Sequence, residues 1–167
     1  DNVFAGNIGD VGCFSFYSTK IMTTGGEGGF ISTNNEKLFD LCSSFGAIGI
    51  DKKSKNEIYI NAGSNNRLTE FQAILGISQL NKLESFVKHR NKIAGIYKHR
   101  LSQVVEDGII KFQEYPQNIR HPYWMFMVLI ENKDYKRINI KDRLMKDDIN
   151  INWPYQPLLH QQPVFCG

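Results

Sequence analysis

The sequence predicts an α/β fold, in which part of a large α/β domain is joined to a small C-terminal α/β lobe. Three observations carry that expectation. Two short apolar segments flank a loop of threonines and glycines near the N-terminus, a helical pattern of unusual length follows, and strand and helix patterns return after Asp107 and Gly108. Residues 1–85 are assigned to the large-domain portion, and residues 86–167 to the connecting helix and an incomplete small lobe.

Composition sets the outer bounds. The 167 residues are 41% hydrophobic and 22% charged, with a formal charge of +3. Such a chain builds one sizeable core and is not a disordered one. No apolar run reaches the roughly 18 residues of a membrane span, and no basic segment leads into an apolar one at the start, so a cytoplasmic location is expected. Cys13, Cys42 and Cys166 are odd in number and widely spaced. They are read as buried or free thiols, not as a disulfide framework or a zinc site. The chain opens on DNVFAGNIGD without a methionine and stops at HQQPVFCG, which is the expectation for a piece of a longer protein.

The elements follow in order. VGCFSF, residues 11–16, predicts a short strand that reads as buried on both sides, and GGFIST, residues 28–33, predicts a second. Asn34 or Asn35 is placed to cap a helix through EKLFDLCSSF, which Gly46 and Gly49 end. After the polar loop DKKSKNE, helical periodicity runs from Asn61 to Val104, with Leu68, Phe71, Leu75, Leu83, Phe86, Tyr97, Leu101 and Val104 on one side. A bend or break is expected near Glu84 to Phe86. IIKF and YWMFMVLI read as strands, NIKDRLMKDDI as a helix, and NWPYQPLLHQQPVF as a proline-punctuated tail.

The candidate chemistry centres on FSFYSTKIMTTGGEGGF, where Lys20 stands between the first strand and the glycine loop. Glycines 25, 26, 28 and 29 let backbone N–H groups converge on an anion, although the spacing is not that of a nucleotide-binding loop and, taken alone, a hairpin turn explains it better. Taken alone, Lys20 is more simply a solvated charge and Ser15 a strand hydroxyl bonded to backbone.

In combination these segments go further. Gly9 to Thr33, GDVGCFSFYSTKIMTTGGEGGFIST, resembles the cofactor-lysine segment of the DegT/DnrJ/EryC1/StrS family of sugar aminotransferases. GSNNRLTEFQAILGISQL, residues 63–80, is similar to that family's next segment, an asparagine-containing loop that opens a long helix, and PLLHQQPVF, residues 157–165, is similar to an element of its C-terminal lobe. The resemblance implies the pyridoxal-phosphate transferase architecture of fold type I. It implies that Lys20 holds pyridoxal 5′-phosphate covalently and, once freed by the amino donor, moves the proton. It implies that Ser15 faces the cofactor phosphate, that Asn65 reaches the phosphate of a neighbouring subunit in a homodimer, and that His160 stands near the sugar-nucleotide entrance. Capping of the long helix is the competing role for Asn65 and Asn66, and Arg67 is expected to orient a neighbour or to serve an interface. A lysine at position 20, where one subgroup of the family has histidine and dehydrates its substrate, favours amino transfer. The expected substrates are glutamate as donor and a nucleotide-linked 4-keto, or else 3-keto, 6-deoxy sugar. The family's remaining site residues are expected upstream of residue 1.

Two other readings compete. Lys88, Arg90, Lys92, Lys98 and Arg100, with His89 and His99 between them, make a basic stretch that a nucleic-acid-binding module would use. The net charge is modest and acidic residues intervene, so a solvated helix face explains it better. A non-catalytic or regulatory relative of the same fold is the other reading, and the presence of Lys20 speaks against it. His89, His99 and His121 have no partners at metal or triad spacing, so no metal is expected.

Overall fold

The computed structural model describes residues 3–153 and 155–165. The chain divides into two compact units: Asp1–Ile93 with His121–Trp124, and Ala94–Arg120 with Met125–Gly167.

In the first unit, β1 (Gly12–Ser15) pairs antiparallel with β2 (Gly29–Ser32), placing Phe14 opposite Phe30. Their rings stack with centroids 4.4 Å apart, and Phe16 adds a second stacked contact to Phe30 at 5.6 Å. Stacked aromatic pairs across a ladder hold such a ribbon in register. The reading of the first strand as buried on both sides is corrected here. Cys13 and Ser15 are exposed, as are Phe30 and Ile31 on its partner. The reason is that a two-stranded ribbon has only one face to fill with its own rings, while a continuous apolar run looks the same in the sequence whether or not a second layer covers it.

Helix α1 (Glu36–Phe45) starts as its sequence dictates. The Asn35 side-chain oxygen accepts the N–H groups of Lys37 (3.0 Å) and Leu38 (3.3 Å), satisfying two donors that the first turn leaves open. Its C-cap is Gly46. Beyond it the chain crosses itself at two glycines. Gly49 sits at φ +87°, and a side chain there would collide with the Asn61 carbonyl at 1.8 Å; one on Gly63 would meet the Gly49 nitrogen at 2.3 Å. This close crossing delivers residues 64–66 to the end of α1, where Ser64 N–H donates to Phe45 O and Asn66 N–H to Gly46 O.

Helix α2 (Glu70–Arg100) is one uninterrupted helix of 31 residues. The expected break near Glu84 to Phe86 does not occur. That stretch holds no glycine or proline, and the Ser85 hydroxyl donates back to the Lys82 carbonyl (2.7 Å), staying within the helix. The interruption falls later, at Leu101 (φ −100°, ψ 8°), after which α3 (Ser102–Glu106) adds a short turn. The single apolar side expected of this helix is in fact two stripes. Phe71, Ile74, Ile77 and Leu80 lie exposed, Phe71 by 86%, whereas Gly76 and Ala94 are buried and Leu83, Phe86 and Val87 are partly so. The periodic list read from the sequence merged members of both stripes.

In the second unit, β3 (Ile110–Phe112) pairs antiparallel with β4 (Val128–Ile130), with Ile110 opposite Ile130. Phe126 bridges Tyr97 (5.2 Å between centroids) and Phe112 (5.4 Å), forming the aromatic centre of this unit. The second strand is shorter than YWMFMVLI suggested, because residues 121–124 belong to the first unit. Helix α4 (Arg137–Lys146) follows, then short 3₁₀ turns at Leu159–Gln161 and Pro163–Phe165. Cys13 is an exposed free thiol and Cys42 a partly buried one, while Cys166 lies outside the described residues.

Candidate active site around Lys20

Lys20 sits in a tight turn directly after β1, where its N–H donates to the Tyr17 carbonyl (2.9 Å). The turn is held at its base by Phe16, whose N–H donates to Gly28 O (2.7 Å) and whose carbonyl accepts the Thr24 N–H (3.1 Å). These bonds extend the β1–β2 ladder inward, so the connection from residue 17 to residue 27 is an ordered loop, not a tight hairpin turn. Thr24 is its anchor. It is 2% exposed, its hydroxyl donates to the Glu27 carbonyl (3.3 Å), and its methyl group faces the bare backbone of Gly76 on α2. The start of α2 grips the same loop, since the Gln72 side-chain N–H donates to Glu27 O (2.8 Å).

The amine of Lys20 has a specific neighbour. Its Nζ lies 3.7 Å from the centre of the Trp124 ring. The indole N–H of Trp124 donates to the carbonyl of Thr19 (2.9 Å), one residue before the lysine. Two side chains of α2 hold the segment carrying Trp124: Asn91 donates to the His121 carbonyl (2.9 Å), and Arg90 donates to the carbonyls of Tyr123 (3.0 Å) and Trp124 (3.4 Å).

Ser15 ends β1 on the same segment as Lys20. Its Oγ accepts the Tyr17 N–H (3.3 Å), and its own hydrogen is left for another acceptor. Asn65 stands in the loop delivered by the glycine crossing, exposed, with its Oδ1 accepting from Arg67 Nε (2.9 Å). A guanidinium only donates, so this contact fixes the amide with its NH₂ group free to donate outward. Arg67 therefore orients Asn65. Neither Asn65 nor Asn66 caps α2. That role falls to Thr69 and Gln72, where the Gln72 side-chain oxygen accepts the Thr69 N–H (3.0 Å) and the Thr69 hydroxyl accepts the Gln72 N–H (3.4 Å). His160 belongs to the second unit, exposed in the Leu159–Gln161 turn. His121 is a packing histidine, its Nδ1 accepting the Tyr123 N–H (3.1 Å) and its ring edge-on to Tyr123. Among the described residues, no group of three or more His, Cys, Asp or Glu forms a metal cage, and no helix is long and apolar enough to cross a membrane.

Sequence reasoning singled out Lys20, Ser15 and Asn65 as candidates and named Arg90 only within a basic stretch, and it passed over Trp124, Asn91 and Gln72. Only Gln72 left a local signal, the T-x-x-Q spacing of a capping box.

Known proteins resemble this chain in sequence and in fold. The sequence profile of the DegT/DnrJ/EryC1/StrS aminotransferase family matches residues 2–167. GDP-perosamine synthase of Escherichia coli O157:H7 is 30% identical over 148 residues, covering 86% of this chain and 38% of that protein. Among solved structures, Helicobacter pylori PseC, an aminotransferase involved in the biosynthesis of pseudoaminic acid, superposes with a TM-score of 0.85 at 25% identity, over 99% of this chain and 44% of its own. NtdA of Bacillus subtilis, solved with its cofactor PMP bound, superposes with a TM-score of 0.77 at 26% identity, over 94% of this chain and 36% of its own. The chain thus spans about two fifths of the length of these relatives.

Proposed function

Because this chain belongs to the DegT/DnrJ/EryC1/StrS aminotransferase family, we propose that the protein carrying it is a cytoplasmic, pyridoxal-5′-phosphate-dependent sugar aminotransferase. It moves an amino group from glutamate to a 4-keto, or else 3-keto, 6-deoxy sugar linked to a nucleoside diphosphate. The observation that carries the reading is the setting of Lys20: a lysine in an ordered turn after β1, followed by a glycine-rich loop and with a hydroxyl, Ser15, on the same segment.

The residues suit the cofactor. A primary amine, a hydroxyl with its hydrogen uncommitted and an amide NH₂ turned outward are the donors that an aldehyde bearing a phosphate dianion requires, and PMP bound to the Bacillus subtilis neighbour supports that class of cofactor. When bound, pyridoxal phosphate supplies the aldehyde carbon that receives amines and a ring that takes up electrons. Lys20 Nζ is the group that would hold the cofactor and, when free, would take up and return the proton at the substrate carbon. Ser15 Oγ would donate to a phosphate oxygen. Asn65 Nδ2 would donate to the phosphate of a neighbouring subunit in a homodimer, and His160 would serve the nucleotide sugar.

The test is covalent mapping in the complete protein. Borohydride treatment in the presence of pyridoxal phosphate fixes the cofactor on Lys20, and mass spectrometry of the digest locates it there. Lys20→Ala loses the label together with the half-reaction with glutamate. A label of wild-type yield on another lysine would remove the basis of the reading.

A further inference from the structure

Trp124 is delivered to Lys20 at a conformational cost. Tyr123, the residue before it, is buried and sits at φ +47°, the left-handed region that a bulky side chain rarely occupies. Backbone held in such a region persists only where its surroundings over-determine it, and such positions cluster at sites of function. Here the surroundings are visible. Arg90 and Asn91 on α2 take three carbonyls of residues 121–124, and His121 takes the Tyr123 N–H. The product of this clamp is one indole in two contacts with adjacent residues. Its N–H fixes the Thr19 carbonyl at 2.9 Å, and its face lies 3.7 Å from the Lys20 amine.

We propose that Trp124 is a positioning residue for Lys20: its N–H fixes the backbone from which the lysine projects, and its ring is the resting place of the lysine amine whenever that amine is not bonded to the cofactor. A cation close to an indole face gains from the negative charge of the π system, and tryptophan is the strongest ring for this purpose. A four-carbon stem would otherwise sample many rotamers, and the ring restricts which of them the lysine occupies. No bond is made or broken at Trp124. This inference rests on the cofactor reading for its purpose, but its physical content concerns the cofactor-free protein and is measured there.

The experiment acylates the cofactor-free complete protein with an N-hydroxysuccinimide acetate at limiting dose, and quantifies Lys20 against exposed Lys88 in the same digest. Trp124→Leu raises the Lys20 to Lys88 ratio by about two- to fivefold, the scale of a partly exposed cation–π contact, whereas Trp124→Phe, which keeps a ring but not the N–H, stays nearer to wild type. Trp124→Leu also slows covalent uptake of pyridoxal phosphate on Lys20, read after borohydride fixation. A wild-type acylation ratio in Trp124→Leu overturns the proposal, as does a fall in thermal midpoint with no change in that ratio. If Trp124→Leu does not fold, the fluorine resonance of Trp124 in 5-fluorotryptophan-labelled complete protein, assigned by its loss in Trp124→Phe, is compared with and without Lys20→Met. A spectral change supports the contact and superimposable spectra refute it. A label that stays at wild-type yield in Lys20→Ala would strike the cofactor reading and leave the acylation result standing.

Discussion

The side-chain amide of Gln72 donates to the carbonyl of Glu27 at 2.8 Å, tying the first turn of α2 to the glycine loop behind Lys20. The same side chain accepts the Thr69 N–H through its oxygen, so one residue both caps the helix and closes the loop. Gln72→Leu removes both contacts at similar volume. The expected result is a loss of about 1–2 kcal/mol in denaturant unfolding of the complete protein, the sum of a cap and an ordinary hydrogen bond. Gln72→Glu, which keeps the acceptor but loses the donor, recovers part of this loss.

Arg67 sets which end of the Asn65 amide faces outward. Asn65→Ala in the complete protein weakens cofactor retention by roughly tenfold or more, the scale of a hydrogen bond to a charged group. Arg67→Leu produces a smaller loss in the same direction, and neither variant shifts the thermal midpoint of the cofactor-free protein as far as Gln72→Leu does. Equilibrium dialysis against pyridoxal phosphate checks both, and equal retention in Asn65→Ala and wild type would remove Asn65 from the phosphate site.

Lys53 gives the pH dependence. The Asp40 carboxylate accepts from its ammonium, and with Glu36 3.9 Å away this raises the Lys53 pKa above its ordinary 10.5. A raised lysine contributes stability that is fully present below the unfolded pKa and is lost as pH rises through the folded one. The difference in thermal midpoint between wild type and Lys53→Met is therefore constant through neutral pH and shrinks above about pH 10.5, the ordinary lysine value. The side chains are 64% and 38% exposed, so the effect is small. It fades in about 1 M salt, where the screening length falls to roughly 3 Å. A difference that persists in high salt would mean that Lys53 acts through packing.

The exposed stripe of Phe71, Ile74, Ile77 and Leu80 predicts how the 167 residues behave when expressed alone. Contiguous apolar surface of this kind binds hydrophobic dyes and drives self-association. Phe71→Glu with Ile77→Lys lowers dye fluorescence and aggregation together. A monomer without dye binding in the unmodified chain would contradict the expectation.

What was legible in the sequence was local. The Asn35 cap and the helix through Phe45 depend on residues within four positions of each other, and composition exposes them directly. The lysine, serine and asparagine of the candidate site were legible because short segments around them resemble a known family. The two stripes of α2 were not legible, because near three-and-four spacing assigns residues to a face only within a few turns, and over 31 residues the list drifted from one stripe to the other. The role of Trp124 was beyond reach for a different reason. Nothing within YWMFMVLI distinguishes a strand residue from one that a left-handed Tyr123 turns toward a lysine a hundred positions earlier.

That separation has a consequence for the order of events during synthesis. Thr19 and Trp124 are 105 positions apart, and a ribosome adding roughly 5–20 residues per second takes on the order of 10 s to cover that distance. Throughout that interval the nascent turn carries its lysine with no ring beside it. Closing so long a loop is also entropically slow compared with forming α1 or the β1–β2 ribbon, which use only neighbours. The Lys20 amine is therefore made early and meets its ring late, and a nascent chain halted before Trp124 carries it without that neighbour.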